Sequence, residues 1–252
     1  MKNKHDIIWL DTVDSTNSEA RRRISRVDNL SVLSALEQTS GRGQQGNEWS
    51  SRPGENLTFS IILKFSDHNT LDVHEQCVIN EIASLSVVDF LASHEIEAKI
   101  KWPNDIYVQN HKICGILIEN SLRGSDINHS IIGIGLNINQ KNFNVNLPNP
   151  ISMAILTDKI YDISECLDEF MSIFKKYVHR YLNGNSRSDE LRTFYLRQLW
   201  KIDEQMHFTD GKNMENTFRG IIRGLTDMGN LLIETEKGEL KEFAFKEIGY
   251  II

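Results

Sequence analysis

The sequence predicts an α+β protein: a mixed, mostly antiparallel sheet with helices, followed by a small C-terminal β-barrel. Three observations carry this expectation. Strand-like segments cluster between Ala98 and Ile138, with Asn110-His111 able to serve as a two-residue hairpin turn. After Trp200 the texture changes to short alternating segments separated by Gly211, Gly229 and Gly238, a small β module of about fifty residues. The chain has 252 residues, 40% hydrophobic and 25% charged, which is enough apolar material for one large and one small domain. We expect the division at residues 1–203 and 204–252.

The elements follow in order. Ile7-Ile8-Trp9-Leu10 reads as a short buried strand, and Thr16-x-x-Glu19 has capping-box spacing ahead of a helix around Glu19 to Arg26. Val32 to Leu36 is the next strand. Thr39 to Gly54 is a Gly-rich polar loop with a lone Trp49. Leu57, Phe59, Ile61, Leu63 and Phe65 alternate with mostly polar neighbours, as in a strand with one buried face. A helix from about Asp72 to His94 precedes four strands: Ala98–Trp102, Ile106–Gln109, Lys112–Glu119 and Ser130–Ile138. A helix-rich stretch spans Ser152 to Leu199. In the C-terminal module, Ile221–Gly224 and Leu231–Glu234 read as strands, and Glu242–Glu247 turns the chain back toward the main domain.

Composition excludes several classes. Lys plus Arg number 28 and Asp plus Glu 35, a net charge of −7, which counts against broad nucleic-acid binding. No uninterrupted apolar run reaches the ~18 residues of a membrane span. The polar start, Met1 to Asp6, is no signal peptide. Cys77, Cys114 and Cys166 fit neither a zinc site nor a disulfide framework, so a reducing cytoplasm is the expected location.

Gly41-Arg42-Gly43-Gln44-Gln45-Gly46 matches the dinucleotide-binding pattern literally, but Asn47 to Gly54 has no helical period and contains Pro-Gly. A phosphate-gripping loop remains open, with backbone N–H groups and the Arg42 fork as donors; so does a flexible surface loop. In Lys101-Trp102-Pro103-Asn104-Asp105 a tight turn presents side-chain oxygens beside a lysine: a packed turn, or a carboxylate for Mg²⁺ or a ribose contact. Lys112 opens an apolar strand in which Gly115 permits close approach. It is a solvated strand-end lysine, or a cation that meets an anion. Gly133-Ile134-Gly135-Leu136-Asn137 reads as a closely packed strand or as the floor of a nucleotide pocket.

In this order, Asp14-Ser15-Thr16-Asn17, Gln38-Thr39-Ser40-Gly41-Arg42-Gly43, Trp49, Lys101–Asp105, Lys112–Glu119 and Gly133–Asn137 resemble the biotin protein ligase family. The resemblance implies a catalytic domain similar to class II aminoacyl-tRNA synthetases and an SH3-like C-terminal domain. It implies an enzyme that joins biotin and ATP as biotinyl-5′-AMP, with Mg²⁺, and then passes biotin to a lysine of a biotin carboxyl carrier protein. Carried over, Lys112 and Arg42 are the catalytic pair. Ser15, Thr16, Asn17, Gln38, Arg42, Gly43, Gln44, Lys112 and Gly115 hold biotin. Arg42, Trp49, Asn104, Lys112 and Asn137 hold ATP, with Trp49 over the adenine, and Asp105 is the metal candidate. Gln44 and Gln45 stand where the family often has arginines. A neutral donor in place of a charged one forfeits about 1–2 kcal/mol per contact, which shifts the burden to Arg42, with Arg52 a second candidate. The first core strand begins near Ile7, so no N-terminal DNA-binding helix-turn-helix and no repressor function are expected. A homodimer is open. A lipoate ligase or related acyltransferase is the nearest alternative, and a non-catalytic adaptor or nucleic-acid module is the alternative from another class.

Overall fold

The computed structural model describes residues 6–66, 70–183, 189–211 and 213–251. The first five residues, read above as no signal peptide, lie outside these, as do 184–188 of the helix-rich stretch. A seven-stranded sheet is built from β1 (Ile7–Val13), β2 (Val32–Gln38), β3 (Leu57–Lys64), β4 (Lys99–Lys101), β5 (Asp105–Val108), β6 (His111–Arg123) and β7 (Asp126–Leu136). Its order is β1-β2-β3-β7-β6-β5-β4; β1 and β2 are parallel, and the remaining neighbours are antiparallel. Helix α1 (Thr16–Arg23) lies between β1 and β2, α2 (Cys77–Ser93) between β3 and β4, and α3 (Met153–Thr157), α4 (Ile163–Tyr181) and α5 (Asp189–Arg197) follow β7. A second, five-stranded antiparallel sheet of SH3-like type holds β8 (Gln205–Asp210), β9 (Asn213–Leu225), β10 (Leu231–Thr235), β11 (Leu240–Phe243) and β12 (Ile248–Ile251) in the order β11-β10-β9-β8-β12. The α+β expectation holds.

One face of the main sheet is covered by α2 and α4. Helix α4 buries Cys166, Leu167, Phe170, Met171, Phe174, Val178 and Tyr181 at helical spacing. Phe170 meets Phe59 of β3 and Phe90 of α2 edge-on, with ring centroids 5.2 and 6.4 Å apart. Residues Val73–Ser93 are long and apolar enough by composition to cross a membrane, but 67% of that window is buried here as the core helix. Phe208, Ile222, Leu231 and Ile233 of the second sheet belong to the same apolar core as the main sheet.

Several local expectations need correction. β3 is buried on both faces, because the side opposite α2 carries Thr58 and Ser60 under α1 and the site. The capping box does not form: Ser15 is the extended N-cap residue without a side-chain cap bond, and α1 ends at Arg23. Thr16 instead donates its backbone N–H and hydroxyl to Gln38 Oε1 at 2.8 and 3.2 Å, and Glu19 pairs with Arg22 and Arg23. The β5–β6 turn is Gln109-Asn110, one residue earlier than expected, with Gln109 at φ 54° and Val108 facing His111.

A buried staple fixes the second sheet against the helices. Glu81 of α2, 2% exposed, meets Arg192 Nε of α5 at 2.5 Å. Arg192 Nη1 donates to Thr226 O at 2.6 Å, and Trp102 Nε1 donates to Gly229 O at 3.0 Å. Burial pushes the Glu81 carboxyl up to about 7, with Arg192 pulling the other way. Its folded pKa therefore exceeds its ordinary value of 4.5, so this group's contribution to stability falls as pH rises from about 4.5 toward 7. Arg192→Met strands the carboxylate and is expected to cost ~3–5 kcal/mol in urea unfolding at neutral pH. Most of that loss returns in Glu81→Leu/Arg192→Met; a single-variant cost under about 1 kcal/mol contradicts the staple.

Candidate active site

Strand periodicity builds the site from the face of the main sheet opposite α2 and α4. In β7, Ile132, Ile134 and Leu136 enter the core, so Gly133 and Gly135 face the other way. With Gly115 of β6 they make a floor without side chains. Above it lies a cleft of about 630 Å³. Its walls are the start of α1, the end of β2, the glycine loop, the turn between β4 and β5, and the β8 and β12 side of the second sheet.

Ser15, Thr16, Asn17 and Gln38 share one wall. They are joined by a buried polar chain: Ser60 Oγ lies 2.8 Å from Thr16 Oγ1 and donates to Asn17 Oδ1 at 2.6 Å. Asn17 Nδ2 donates to Glu119 Oε2 at 2.9 Å and to Leu117 O at 3.3 Å. Glu119 also receives Arg21 at 2.7 Å and Arg42 at 2.9 Å. Burial raises the Glu119 carboxyl, but hydrogen bonds from Asn17 and Arg42 and the two guanidinium charges outweigh it, so its net shift is downward. Glu119 thus ties the α1 wall to the glycine loop. Nothing in Ile116-Leu117-Ile118-Glu119 beyond a charge ending an apolar strand signals this in the sequence.

The glycine loop expected over Thr39 to Gly54 folds back on itself at its centre. A 3₁₀ turn at Gln44–Gly46 is bracketed by bonds from Gly43 N to Asn47 O (2.7 Å) and Trp49 N to Gly41 O (2.9 Å). A Cβ on Gly41 would overlap the Trp49 carbonyl, so that residue must be glycine. No α-helix follows, which disposes of the dinucleotide pattern. Arg42, Gly43, Gln44 and Trp49 all line the cleft. The Trp49 indole rests on Gly135 and Gly115, 5.8 Å from Lys112 Nζ, with its buried Nε1 lacking a partner among the described residues. The Gln44 side-chain oxygen is likewise buried without a donor. Arg52, the second candidate, is exposed and, unlike Arg42, does not line the cleft.

Lys112 reaches into the cleft over Gly115, and its ammonium meets Asp105 Oδ1 at 2.7 Å. Asn104 lines the cleft, but its amide Nδ2 is spent on Ile116 O at 2.7 Å, pinning the turn to β6. Asn137 does not line the cleft. It is buried past the end of β7, and its amide donates to Ile151 O at 2.9 Å, holding the chain that leads into α3. Among the described residues no cluster of three or more His, Cys, Asp or Glu is placed to hold a metal ion. Asp105, the metal candidate, is engaged by Lys112. Lys101, Gly133 and Gly135 also line the cleft, as do Tyr250 of β12 and Phe245 and Lys246 in the turn before it.

The fold and the cleft define a class, and the comparisons agree. Residues 9–137, about half the chain, match the model of the biotin/lipoate A/B protein ligase family, and the chain belongs to that family. Residues 213–247 match the biotin protein ligase C terminal domain, which places it on the biotin side of the family. The bifunctional ligase/repressor BirA of Bacillus spizizenii is 27% identical over 250 residues, covering 94% of this chain and 72% of that protein. The biotin–[acetyl-CoA-carboxylase] ligase of Paracoccus denitrificans is 24% identical, covering 89% of this chain and 92% of that protein. The biotin protein ligase from Aquifex aeolicus in complex with biotin and ATP superposes with a TM-score of 0.77 at 27% identity, covering 97% of both chains.

Proposed function

We propose that the protein is an ATP-dependent biotin ligase. The observation that carries this is the cleft itself: a polar wall of Ser15, Thr16, Asn17 and Gln38, a glycine floor, and Lys112 at its centre, in a chain whose two parts match the family and the biotin-specific C-terminal domain. That C-terminal match favours biotin over lipoate. A biotin carboxylate oxygen attacks the α-phosphorus of ATP, and the P–O bond to pyrophosphate breaks. An acceptor lysine amine then attacks the acyl carbon and AMP leaves. Charge builds on the phosphates, so fixed cations contribute more than a general base. In this reading Ser15, Thr16, Asn17, Gln38, Gly43, Gln44 and Gly115 hold biotin. Lys112 and Arg42 stabilise the developing charge, and Trp49 and Asn104 meet the nucleotide. Asn137 supports this arrangement through the backbone at Ile151. Asp105 positions Lys112, and a Mg²⁺ ion bound to the ATP phosphates would neutralise part of their charge. The acceptor is a biotin carboxyl carrier domain, and residues 204–252 act as a second domain that completes the cleft.

Biotin-dependent exchange of labelled pyrophosphate into ATP, with none for lipoate, tests the assignment. Absence of exchange with biotin, or equal exchange with both acids, rejects it. The loop supplies a further expectation. Residues 42–54 are largely exposed or half-buried, and the Trp49 indole Nε1 lacks a partner among the described residues. Hydrogen exchange in this segment should slow when biotin and ATP form the adenylate, because closure over the mixed anhydride excludes water. Equal protection with and without ligands contradicts this closure.

A further inference from the structure

Four cations line the cleft among the described residues: Arg42, Lys101, Lys112 and Lys246. Arg42 is committed to Glu119 at 2.9 Å, and Lys112 to Asp105 at 2.7 Å. Lys246 is exposed to solvent. Lys101 differs from all three. It is half-buried at the end of β4, and none of the described carboxylates lies within ion-pair distance of its ammonium. Asp105, opposite it in register, spends its carboxylate on Lys112.

The Lys101 ammonium lies 4.8 Å from the centroid of Tyr107 and 4.7 Å from that of Tyr250, with the Tyr107 hydroxyl at 3.4 Å. Tyr107 belongs to β5 of the main sheet, and Tyr250 to β12 of the second. Both are steadied by Trp200, at 5.5 and 6.0 Å between centroids. The Tyr250 hydroxyl is buried without a partner among the described residues. Ring faces offset part of the desolvation of a cation but do not neutralise it. Burial lowers the Lys101 pKa; the Asp105 charge opposes this and the Lys112 charge adds to it, so the net shift is downward. An anion entering the cleft supplies what the cage does not.

We propose that Lys101, held between Tyr107 and Tyr250, is a binding residue for the polyphosphate end of the nucleotide, and that the C-terminal sheet takes part in nucleotide binding through Tyr250. This rests on the ligase reading above. Phosphate oxygens suit the site because they are compact, multiply charged and able to accept from an ammonium whose other contacts are two ring faces and one long bond to a phenol hydroxyl. The cage also gives the C-terminal module a specific task. Removing the Tyr250 ring leaves Lys101 in place but frees it to turn toward Asp105 or solvent.

The test compares wild type with Lys101→Gln, Lys101→Arg, Tyr250→Phe and Tyr250→Leu. Each variant is first shown folded by its thermal melt. Titration calorimetry measures binding of biotin and of inorganic pyrophosphate, and the exchange assay gives KM for ATP. Lys101→Gln should raise KM for ATP and weaken pyrophosphate by about tenfold or more, the scale of losing a charge-assisted bond. Biotin affinity should stay within about twofold, since its polar wall is elsewhere. Lys101→Arg should recover part of the loss, and Tyr250→Phe, which keeps the ring, should resemble wild type. Tyr250→Leu should shift ATP in the same direction as Lys101→Gln, by a smaller factor. An unchanged KM for ATP in Lys101→Gln, or biotin and ATP weakened by the same factor, overturns the role of Lys101. A normal KM for ATP in Tyr250→Leu overturns the role of the C-terminal sheet. Wild type that supports no biotin-dependent exchange is a different failure, that of the ligase reading.

Discussion

Lys112→Ala is expected to cut single-turnover formation of the adenylate by about 10²–10³, the scale of losing one donor aimed at developing transition-state charge. The geometry adds a second component. Lys112 and Asp105 are 2.7 Å apart, and Asp105 retains only 20% side-chain exposure. Without the lysine, a bare carboxylate faces the phosphates. Part of the loss in Lys112→Ala is then repulsion from Asp105, not the absence of a cation. Lys112→Ala/Asp105→Asn separates the two, because residues in one ion pair couple non-additively. The double variant should recover part of the loss, about tenfold, and remain well below wild type. Adenylation by Lys112→Ala within a few-fold of wild type removes Lys112 from the catalytic pair. A double variant no better than the single one removes the repulsion component.

The parts of the site that were legible in the sequence are those where a residue type is costly without a reason. Lys112 in an apolar strand, glycines on alternate positions of β7, and a glycine loop with one tryptophan each stand out locally, and each lines the cleft. Less legible were side chains whose partner lies far along the chain. Glu119 looked like a strand-end charge until Asn17 and Arg42, 102 and 77 residues away, were seen to converge on it. Lys101 was read as a neighbour of the Trp-Pro turn, since its two aromatic partners are 6 and about 150 residues distant and only tertiary structure joins them. Asn137 illustrates the reverse. An amide beside a glycine motif suggests a ligand contact, but here a backbone carbonyl within reach takes it and the side chain lies outside the cleft lining. The capping box failed for the same reason, because Gln38 competes for the Thr16 donors. The centres of the main-sheet strands are legible, but the reach of β6 to Arg123 and of β7 back to Asp126, the length of β9, and strands β8 and β12 are not; in β3 the polar residues face a buried site and not solvent.

Gly133→Ala should nearly abolish biotin binding while leaving the fold intact. A Cβ at this position would press into the Asn17 side chain, with its Cγ at 2.9 Å and Nδ2 at 3.1 Å. Neither side can yield. β7 is an inner strand, paired to β3 through Ser60 and to β6 through Leu117 at this very residue. Asn17 is held on three sides by Ser60, Glu119 and Leu117. Making room breaks the polar chain that shapes the biotin wall, so calorimetric affinity for biotin should fall by about a hundredfold or more, since orphaned buried polar groups discriminate strongly. Urea unfolding should report a loss of about 1–3 kcal/mol, the cost of a methyl forced into a packed site. Gly135→Ala is the matched comparison. Its Cβ meets the Trp49 ring, which sits on a loop and can withdraw. That variant should keep biotin affinity within about tenfold and lose mainly the ordering of residues 39–54, because the displaced indole makes no hydrogen bond among the described residues that would have to break. Equal effects of the two alanines on biotin affinity would refute the distinction between a fixed wall at Asn17 and a movable lid at Trp49. Wild-type affinity in Gly133→Ala would show that Asn17 is not part of the biotin wall.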